Sequence, residues 1–304
     1  MVEKRQYDKL IWVDATSPTP KEVRSLIDEY KLHHRAGEEM LAPSSRSKVE
    51  DYGDHLHLIL HFPSFGKSAR AGASQEVDFI IGKDFVITAH YDSVEPLRKF
   101  AKAFEVGTML EREQSGAHAG HLLWHMLKGF YSTLLQELEH IENKIIDIEK
   151  RVFDDSERSV VGSISEVGRE LLAFTQAIRL HQNVLISFEI IGGRIYGDGF
   201  LPNLREIISL HNRACEELEG NKELLSELRS TNDSLVSAKQ NEIIRTLTAV
   251  SFAILPLTLI SAIFTMDVPN KPFSNSPQGF LAVVILMLIT LALTLGYFKV
   301  KKWF

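Results

Sequence analysis

The sequence predicts an α+β domain, a mixed sheet flanked by helices, followed by a very long stalk helix and two C-terminal transmembrane helices. Strand and helix signals alternate along residues 1–110, and only helical signals remain after that. The C-terminal part holds two apolar runs without a charged side chain, Thr246 to Met266 and Gly279 to Phe298. Each run has about 20 residues, the length that crosses a bilayer core as a helix.

Residues 1–110 are predicted to form the α/β domain. Lys9 to Val13 is a short apolar strand candidate, and Thr19-Pro20-Lys21-Glu22 is a capping box with proline at the first helical position. This box predicts a helix from Pro20 to about His33. Three further strands are predicted at Leu56 to Phe62, Val77 to Ile81 and Phe85 to His90. The turn signal Gly82-Lys83-Asp84 joins the last two into a hairpin.

Residues 111–200 are predicted to form antiparallel helices. Gly120 to Phe153 keeps a helical apolar period, and its apolar side is made by Leu134, Leu138, Ile141, Ile145 and Ile148. Asp154-Asp155-Ser156 ends this helix. A second helix is predicted from about Val160 to Ile191, with Gly192-Gly193 as its end.

The stalk helix is predicted for residues 203–245 and continues into the first span, residues 246–266. No proline interrupts the chain between Pro202 and Pro256. Such a helix has some 60 residues and is on the order of 95 Å long at 1.5 Å per residue. Leucines recur along it at the spacing of a helical bundle seam. They are Leu218, Leu225, Leu228 and Leu235.

A second set of residues, here called the polar stripe, follows one side of the stalk and continues into the first span. It consists of Ser230, Ser234, Ser237, Asn241, Ile244, Thr248, Ser251, Leu255, Thr258, Ala262 and Thr265. Two interpretations remain open from the spacing alone. Small and hydroxyl residues are typical of a tight helix–helix contact in membranes. They are also what symmetric copies of one helix would present to a polar pore.

The charges around the spans predict a topology. Lys239 and Arg245 precede the first span, and the basic tail 299–304 follows the second span, 279–298. The connecting loop, 267–278, carries Lys271 as its only basic residue. By the positive-inside rule both termini lie in the cytosol and the loop lies outside, in an inner or plasma membrane. A formal net charge of −6 argues against a nucleic-acid partner.

Other candidate chemistry is weaker. His118, His121 and His125 share a predicted helix face, and His55 and His57 share a strand face. Such spacings can hold zinc or nickel, but solvated or core histidines are the favoured interpretation. An acidic stretch, formed by Asp147, Glu149, Asp154, Asp155 and Glu157, is interpreted as a solvated helix end rather than an ion sensor. No phosphate-binding loop or catalytic triad pattern occurs, so neither an enzyme nor a bound cofactor is expected.

Several segments resemble the CorA family of divalent-cation transport proteins, and the resemblance covers nearly the whole chain. Around the spans it rests on Asn241 to Thr248, Leu255 to Asp267 and Tyr297 to Trp303. In the α/β domain it rests on Trp12-Val13-Asp14, Pro18-Thr19-Pro20, Lys48 to Asp54 and Val77 to His90. The chain is identified on these residues as a member of that family.

The resemblance implies a funnel-shaped homopentamer whose first spans line a central pore, which favours the pore interpretation of the polar stripe. Asn241 is then expected at the cytosolic mouth. Leu247 and Leu255 are expected as apolar constrictions that gate by dewetting. Thr258 is expected to form a polar ring, and the adjacent Pro256 leaves carbonyls free for water or an ion.

The chain departs from the family at the outer end of the first span. The family's Gly-Met-Asn is replaced by Thr265-Met266-Asp267. Magnesium gives up its water reluctantly, which suits contact through a ring of amides. Five aspartates would form a charged ring with coupled titration instead. Asp267 is therefore predicted as the outer selectivity ring and, with Asn241, as a contact for the hydrated ion; the alternative is that transport of the usual ions is lost or changed.

The predicted function is gated flow of hydrated divalent cations, Mg²⁺ first, through the pore. Its partners are the bilayer, the ion and further copies of the chain. Two alternatives remain. One is transport of Zn²⁺, Co²⁺ or Ni²⁺, coupled to protons through Asp267. The other is a membrane-anchored regulatory protein that keeps the scaffold without transporting ions.

Overall fold

A computed structural model describes residues 1–64, 74–105, 118–153, 157–266 and 278–300. Its strands are β1 (Val2–Tyr7), β2 (Leu10–Thr16), β3 (Lys48–Asp51), β4 (Leu56–Pro63), β5 (Ser74–Ile81) and β6 (Phe85–His90). Its helices are α1 (Pro20–Tyr30), α2 (His34–Glu39), α3 (Glu95–Glu105), α4 (Ala119–Phe153), α5 (Glu157–Ile178), α6 (His181–Tyr196), α7 (Leu201–Thr265) and α8 (Gly279–Val300).

The described strands form a mixed sheet in the order β1-β2-β6-β5-β4-β3. β2 and β6 run parallel, and the other neighbouring strands run antiparallel. β5 and β6 form the predicted hairpin, which is closed by a hydrogen bond from the Gly82 backbone N to the Phe85 carbonyl at 2.9 Å. The predicted mixed sheet is thus confirmed.

One face of the sheet packs against α3, α4 and α5. Every second residue of β4, from Leu56 to Phe62, points to this core and is fully buried. The Trp12 ring of β2 meets Phe100 and Phe104 of α3 edge-on, with centroids 5.2 and 5.7 Å apart. The Phe62 ring stacks on Phe130 of α4 at 4.4 Å. Aromatic contacts therefore fasten the helices to the sheet.

The opposite face is covered by α1 and α2. Their apolar side chains pack on Val13, Ile80 and Ile87 of the sheet. α1 begins with the predicted capping box, in which Thr19 Oγ1 accepts from the Glu22 backbone N at 3.3 Å. It ends at Tyr30, earlier than predicted, because Lys31 adopts a left-handed conformation with φ 53°.

The predicted single helix from Val160 to Ile191 is wrong, because α5 ends at Ile178 and α6 begins at His181. Neither glycine nor proline marks this break. Two residues distant in sequence stabilise it: His211 of α7 contacts the Ile178 carbonyl at 3.2 Å, and the His61 carbonyl of β4 contacts the buried His181 ring at 2.8 Å.

The predicted end of that helix at Gly192-Gly193 is also wrong, because α6 continues to Tyr196. These two glycines allow close packing. A Cβ atom on Gly192 would lie 2.8 Å from Leu204 Cδ1, and one on Gly193 would lie 2.7 Å from Leu201 Cδ2. Because these glycines have no side chains, the first turn of α7 can pack closely against α6.

Among the described elements, β1, α2, β3 and α3 were not predicted. β1 and β3 are the edge strands of the sheet, and charged residues interrupt their apolar pattern. The strand predicted at Lys9 to Val13 is β2, which extends to Thr16. α4 agrees with its predicted start to within one residue, whereas its predicted terminator, residues 154–156, lies outside the described part.

The stalk and first span form one helix, α7, of 65 residues, as predicted. The chain divides into two compact units, Met1–Leu228 and Arg229–Phe304, here called the N-terminal unit and the C-terminal unit. Of the predicted leucine seam, Leu218, Leu225 and Leu228 are buried in the N-terminal unit. Leu235, in the C-terminal unit, is instead exposed. The finer domain limits predicted from the sequence stay predictions.

Candidate functional site

Two helices in the described part of the chain, α7 and α8, are long and apolar enough to span a membrane. Many large apolar side chains of the membrane-length segments are exposed: Leu247 is 65% exposed, Leu255 60% and Leu293 69%. Exposing so many large apolar side chains to water is unfavourable. The C-terminal unit therefore requires a lipid environment, in which its helices satisfy their own backbone hydrogen bonds.

One side of the span in α7 packs against α8. Ala249 of α7 and Phe298 of α8 are buried, and the Phe252 and Phe298 rings lie 6.4 Å apart. Further along α7, half-buried side chains recur at helical spacing on the same side. They are Ala253, Pro256, Leu257, Ile260 and Phe264. These half-buried residues share one side of the helix with the buried Ala249.

The polar stripe lies on the other side of α7. At 3.6 residues per turn, five of its members, Ser251, Leu255, Thr258, Ala262 and Thr265, fall within about 80° of one another and face away from the α8 contact; Leu247, outside the stripe as defined, falls within the same sector. These six residues are exposed in the chain. Helix packing within one chain therefore does not account for the stripe.

The hydroxyl groups of the stripe are bonded to their own helix. Thr248 and Ser251 donate to the carbonyls four residues earlier, at 2.7 and 2.9 Å. Thr258 and Thr265 donate to the carbonyls three residues earlier, at 2.8 and 2.9 Å. A hydroxyl has one proton to donate and two lone pairs that accept. Because each hydroxyl proton is donated within the helix, the hydroxyl oxygen can only accept hydrogen bonds from groups outside the helix.

Pro256 interrupts the backbone hydrogen-bond ladder in the middle of the span. Proline has no backbone N–H, so the carbonyl of Phe252 loses its usual helical donor. Pro256 itself is half-buried on the α8 side, and Thr258 lies just beyond it on the stripe. The span thus carries an extra acceptor near its centre.

The structure brings most of the predicted site residues to one exposed side of α7. Asn241, Leu247, Leu255, Thr258 and Thr265 are exposed there. Met266, at the end of the helix, is 56% exposed. Asp267 lies outside the described residues. The roles of these residues in a pore stay predictions.

The predicted histidine face at the start of α4 is used for packing and capping. His118 precedes the helix, and its Nδ1 accepts from the Gly120 backbone N at 3.1 Å. Its ring stacks on Tyr196 at 4.6 Å and lies 4.0 Å from the His121 ring. Burial lowers the pKa of His118 to about 4 and also lowers the pKa values of His121 and His125. Of the other predicted pair, His55 accepts from the His33 backbone N at 3.2 Å.

One cluster was missed from the sequence. Glu39 of α2, Glu50 of β3 and His57 of β4 bring ligand atoms within 4.8 Å of one another. Asp78 of β5 lies beside them and is buried, and this burial raises its pKa to about 6. Alternation of polar residues on β4 and β5, where core strands are otherwise apolar, is the signal that could have found the cluster.

These features define a membrane protein: an α/β N-terminal unit, a long helix and two spans, the first of which exposes a polar side. A model of the family described as CorA-like Mg²⁺ transporter protein matches residues 7–302. The chain belongs to this family.

Individual relatives agree over nearly the full length. The cobalt/magnesium transport protein CorA of Thermotoga maritima is 23% identical over 296 residues, which cover 96% of this chain and 83% of the relative. The zinc transport protein ZntB of Yersinia pseudotuberculosis is 22% identical over 298 residues, with 96% and 83% covered. The complete structure of the CorA magnesium transporter from Methanocaldococcus jannaschii has a TM-score of 0.85 at 20% identity, covering 99% of this chain and 94% of that one.

Proposed function

We propose that this protein passes divalent metal cations, Mg²⁺ first, across the cell membrane through a central pore. The pore is formed by α7 spans from five copies of the chain. The observation that carries this proposal is the acceptor-rich polar stripe, which is exposed on the side of α7 opposite its contact with α8.

A stripe of acceptors suits a hydrated cation. Water molecules bound to a cation direct their hydrogens outward, so their complement is a wall of oxygen lone pairs. Ser251 and Thr258 supply such oxygens because their protons are held by the helix. Mg²⁺ keeps several of its waters in most sites, so recognition through its water shell is chemically reasonable.

Apolar rings regulate the flow in this proposal. Leu247 and Leu255 lie among the polar positions of the stripe, and both are exposed. In a symmetric pentamer each residue becomes a ring of five. A leucine ring that loses its water blocks an ion, and one that widens lets hydrated ions pass.

Asn241 and Asp267 are assigned to the two ends of the pathway. Asn241 offers an amide ring at the cytosolic mouth. Asp267 follows Thr265, the last residue of α7, by two positions and offers a carboxylate ring at the outer end. Both termini lie in the cytosol, because basic residues flank the spans on that side.

Flux into liposomes tests the proposal. The full chain is reconstituted with a Mg²⁺ indicator inside, and external Mg²⁺ is added under an inside-negative potential. We expect Mg²⁺ entry, and we expect Leu255→Ala to increase it by widening the constriction. Leu293→Ala on α8 is the matched control and leaves flux unchanged. A scaffold without transport would show no entry for the native protein and no response to Leu255→Ala.

Zn²⁺ is the second candidate cargo. Thr265-Met266-Asp267 stands where the family has Gly-Met-Asn, and one relative is named a zinc transport protein. A carboxylate ring binds cations more strongly than an amide ring and can exchange protons. Parallel flux of Mg²⁺, Zn²⁺ and Co²⁺ with and without a pH gradient separates the two candidates. If Asp267→Ala left the ion preference and the pH response unchanged, the role of Asp267 would be wrong.

A further inference from the structure

A buried histidine in the N-terminal unit lies between two carboxylates. His57 is 0% exposed, and neither of its ring nitrogens has a hydrogen-bond partner among the described residues. Its Nδ1 lies 3.4 Å from Glu39 Oε2, and its Nε2 lies 3.5 Å from Asp78 Oδ2. These two carboxylate oxygens also have no hydrogen-bond partner within the described part.

Such a cluster is costly without an occupant. A buried polar group that loses water without gaining a partner destabilises the folded state. Two occupants could compensate the cost: a second proton on the imidazole, or a metal ion. A proton would bridge Glu39 and Asp78 through His57 and would need no further group.

A third ligand favours the metal ion. Glu50 is paired directly with His57 across the β3–β4 ladder, and its carboxylate completes the group whose atoms lie within 4.8 Å. One imidazole nitrogen with two carboxylates is a donor set for Zn²⁺, Co²⁺ or Ni²⁺, whereas Mg²⁺ prefers oxygen alone. Bonds of about 2.0–2.2 Å require the glutamate side chains to rotate slightly inward.

We propose that Glu39, Glu50 and His57 of a single chain bind a divalent transition-metal ion of the zinc or cobalt class. The ion is bound through Nδ1 of His57. Asp78 accepts the Nε2–H of the same ring and thereby orients it, as outer carboxylates do for many metal-binding histidines. This site is separate from the ion pathway and does not depend on the proposed function.

Lys48 is the competing cation. Its Nζ lies 2.7 Å from Glu39 Oε1 and 2.9 Å from Glu50 Oε1. Arg35 adds a weaker contact, with its Nε 3.5 Å from Glu39 Oε1. The Glu39 oxygen that faces His57, Oε2, is not used by Lys48. The Tyr52 hydroxyl also donates to Glu50 Oε2. An ion therefore binds on the His57 side and displaces Tyr52 or Lys48 from Glu50, and 26% of the Lys48 side chain is already exposed to solvent.

Zinc binding to the full chain in detergent tests the site. Affinity is measured by calorimetry with Zn²⁺, and the ligands are identified by zinc X-ray absorption. We expect a bound zinc with one imidazole nitrogen at about 2.0 Å and oxygen ligands. His57→Gln removes the imidazole signal. His34→Gln is the matched control, because the His34 side chain is 77% exposed on α2 and lies outside the cluster.

Two further variants separate binding from folding. Asp78→Asn is expected to weaken binding by about 10- to 100-fold while the ligands stay the same. Lys48→Met is expected to strengthen binding, because it removes the competing charge, and simple damage to the fold would not do so. The proposal is overturned if bound zinc shows no imidazole, if His57→Gln leaves the spectrum unchanged, or if Lys48→Met weakens binding. Absence of zinc binding would overturn it as well.

Discussion

The N-terminal unit and the span helices place the same kinds of residue on opposite sides. Trp12, Phe62 and Tyr131 are 0% exposed in the N-terminal unit, whereas Leu247 and Leu293 in the spans are 65% and 69% exposed. The first region completes its core within one chain, as a water-soluble protein must. The second region leaves its apolar surface exposed for lipid, and most of its polar stripe is exposed as well.

Polar groups differ in the same way. In the N-terminal unit they are satisfied by distant residues, as when His181 contacts Tyr131 Oη at 2.9 Å and the His61 carbonyl at 2.8 Å. In the span, Ser251 and Thr258 are satisfied by their own helix. The N-terminal unit is therefore specified by long-range contacts, whereas these hydroxyl hydrogen bonds of the span are completed within its own helix.

The largest expected effect on the free energy of unfolding comes from a leucine-to-alanine substitution in the N-terminal unit, compared with the same kind of substitution in a span. Leu60→Ala removes a side chain that is 0% exposed, and should lower the free energy of unfolding by about 2–5 kcal/mol. Leu293→Ala should change it by less than about 1 kcal/mol, because lipid is as apolar as leucine. Chemical denaturation in detergent, followed by near-ultraviolet circular dichroism, measures both. Equal losses would show that the spans are not lipid-facing at Leu293.

Acid should destabilise the N-terminal unit through His181. Burial, with His211 nearby, lowers the pKa of His181 to about 3 from an ordinary 6.5. The folded state therefore binds fewer protons, so this stability is fully present above pH 6.5 and is lost as pH falls toward 3. Between pH 7 and 5 the loss should be about 2 kcal/mol. His181→Gln keeps a donor and an acceptor and should remove this part of the pH dependence; an unchanged pH profile would contradict the assignment.

Loss of a hydroxyl group on the polar stripe should lower ion flux, whereas loss of a similarly bonded hydroxyl group on α8 should not. Thr258→Val removes an acceptor from the proposed pathway and should lower ion flux by about 2- to 10-fold, the value of one hydrogen bond. Thr290→Val on α8 is the control, because Thr290 also donates to its own helix, at 2.8 Å from the Leu286 carbonyl. Flux into liposomes measures both variants. A similar decrease in each would argue for helix stability rather than the pathway.

The smallest effect is expected from an ion pair on the surface of the N-terminal unit. Lys128 Nζ lies 2.7 Å from Glu206 Oε1, but the two side chains are 44% and 41% exposed. Glu206→Gln should lower the free energy of unfolding by at most about 1 kcal/mol. The difference should shrink in high salt, since salt screens exposed pairs. Denaturation at two ionic strengths checks this, and a loss as large as that of Leu60→Ala would contradict it.

Local signals predicted much of the fold. The capping box at Thr19, the turn at Gly82 and the apolar period of α4 each depend on residues close in sequence, and the structure has the corresponding elements. The break between α5 and α6 was missed because His211 and His61, far away in sequence, stabilise it. The edge strands β1 and β3 were missed because their pairing with β2 and β4 outweighs a charged, weakly patterned sequence.

The candidate functional residues also differ in whether the sequence could reveal them. The polar stripe was visible in the sequence because a single helix arranges its residues at a fixed spacing. The cluster of Glu39, Glu50 and His57 was not, since three separate elements and the sheet register bring these residues together.

The class of this protein could be inferred from local sequence features: two apolar spans, a long helix that enters the membrane, and a stripe of small and polar residues along it. Length and helical period are local properties, so folding did not have to be known. Only the tertiary structure decided that the stripe faces away from α8, that α5 and α6 are separate, and that His57 lies between Glu39 and Asp78. These outcomes depend on contacts between distant residues, whose energies no local pattern contains.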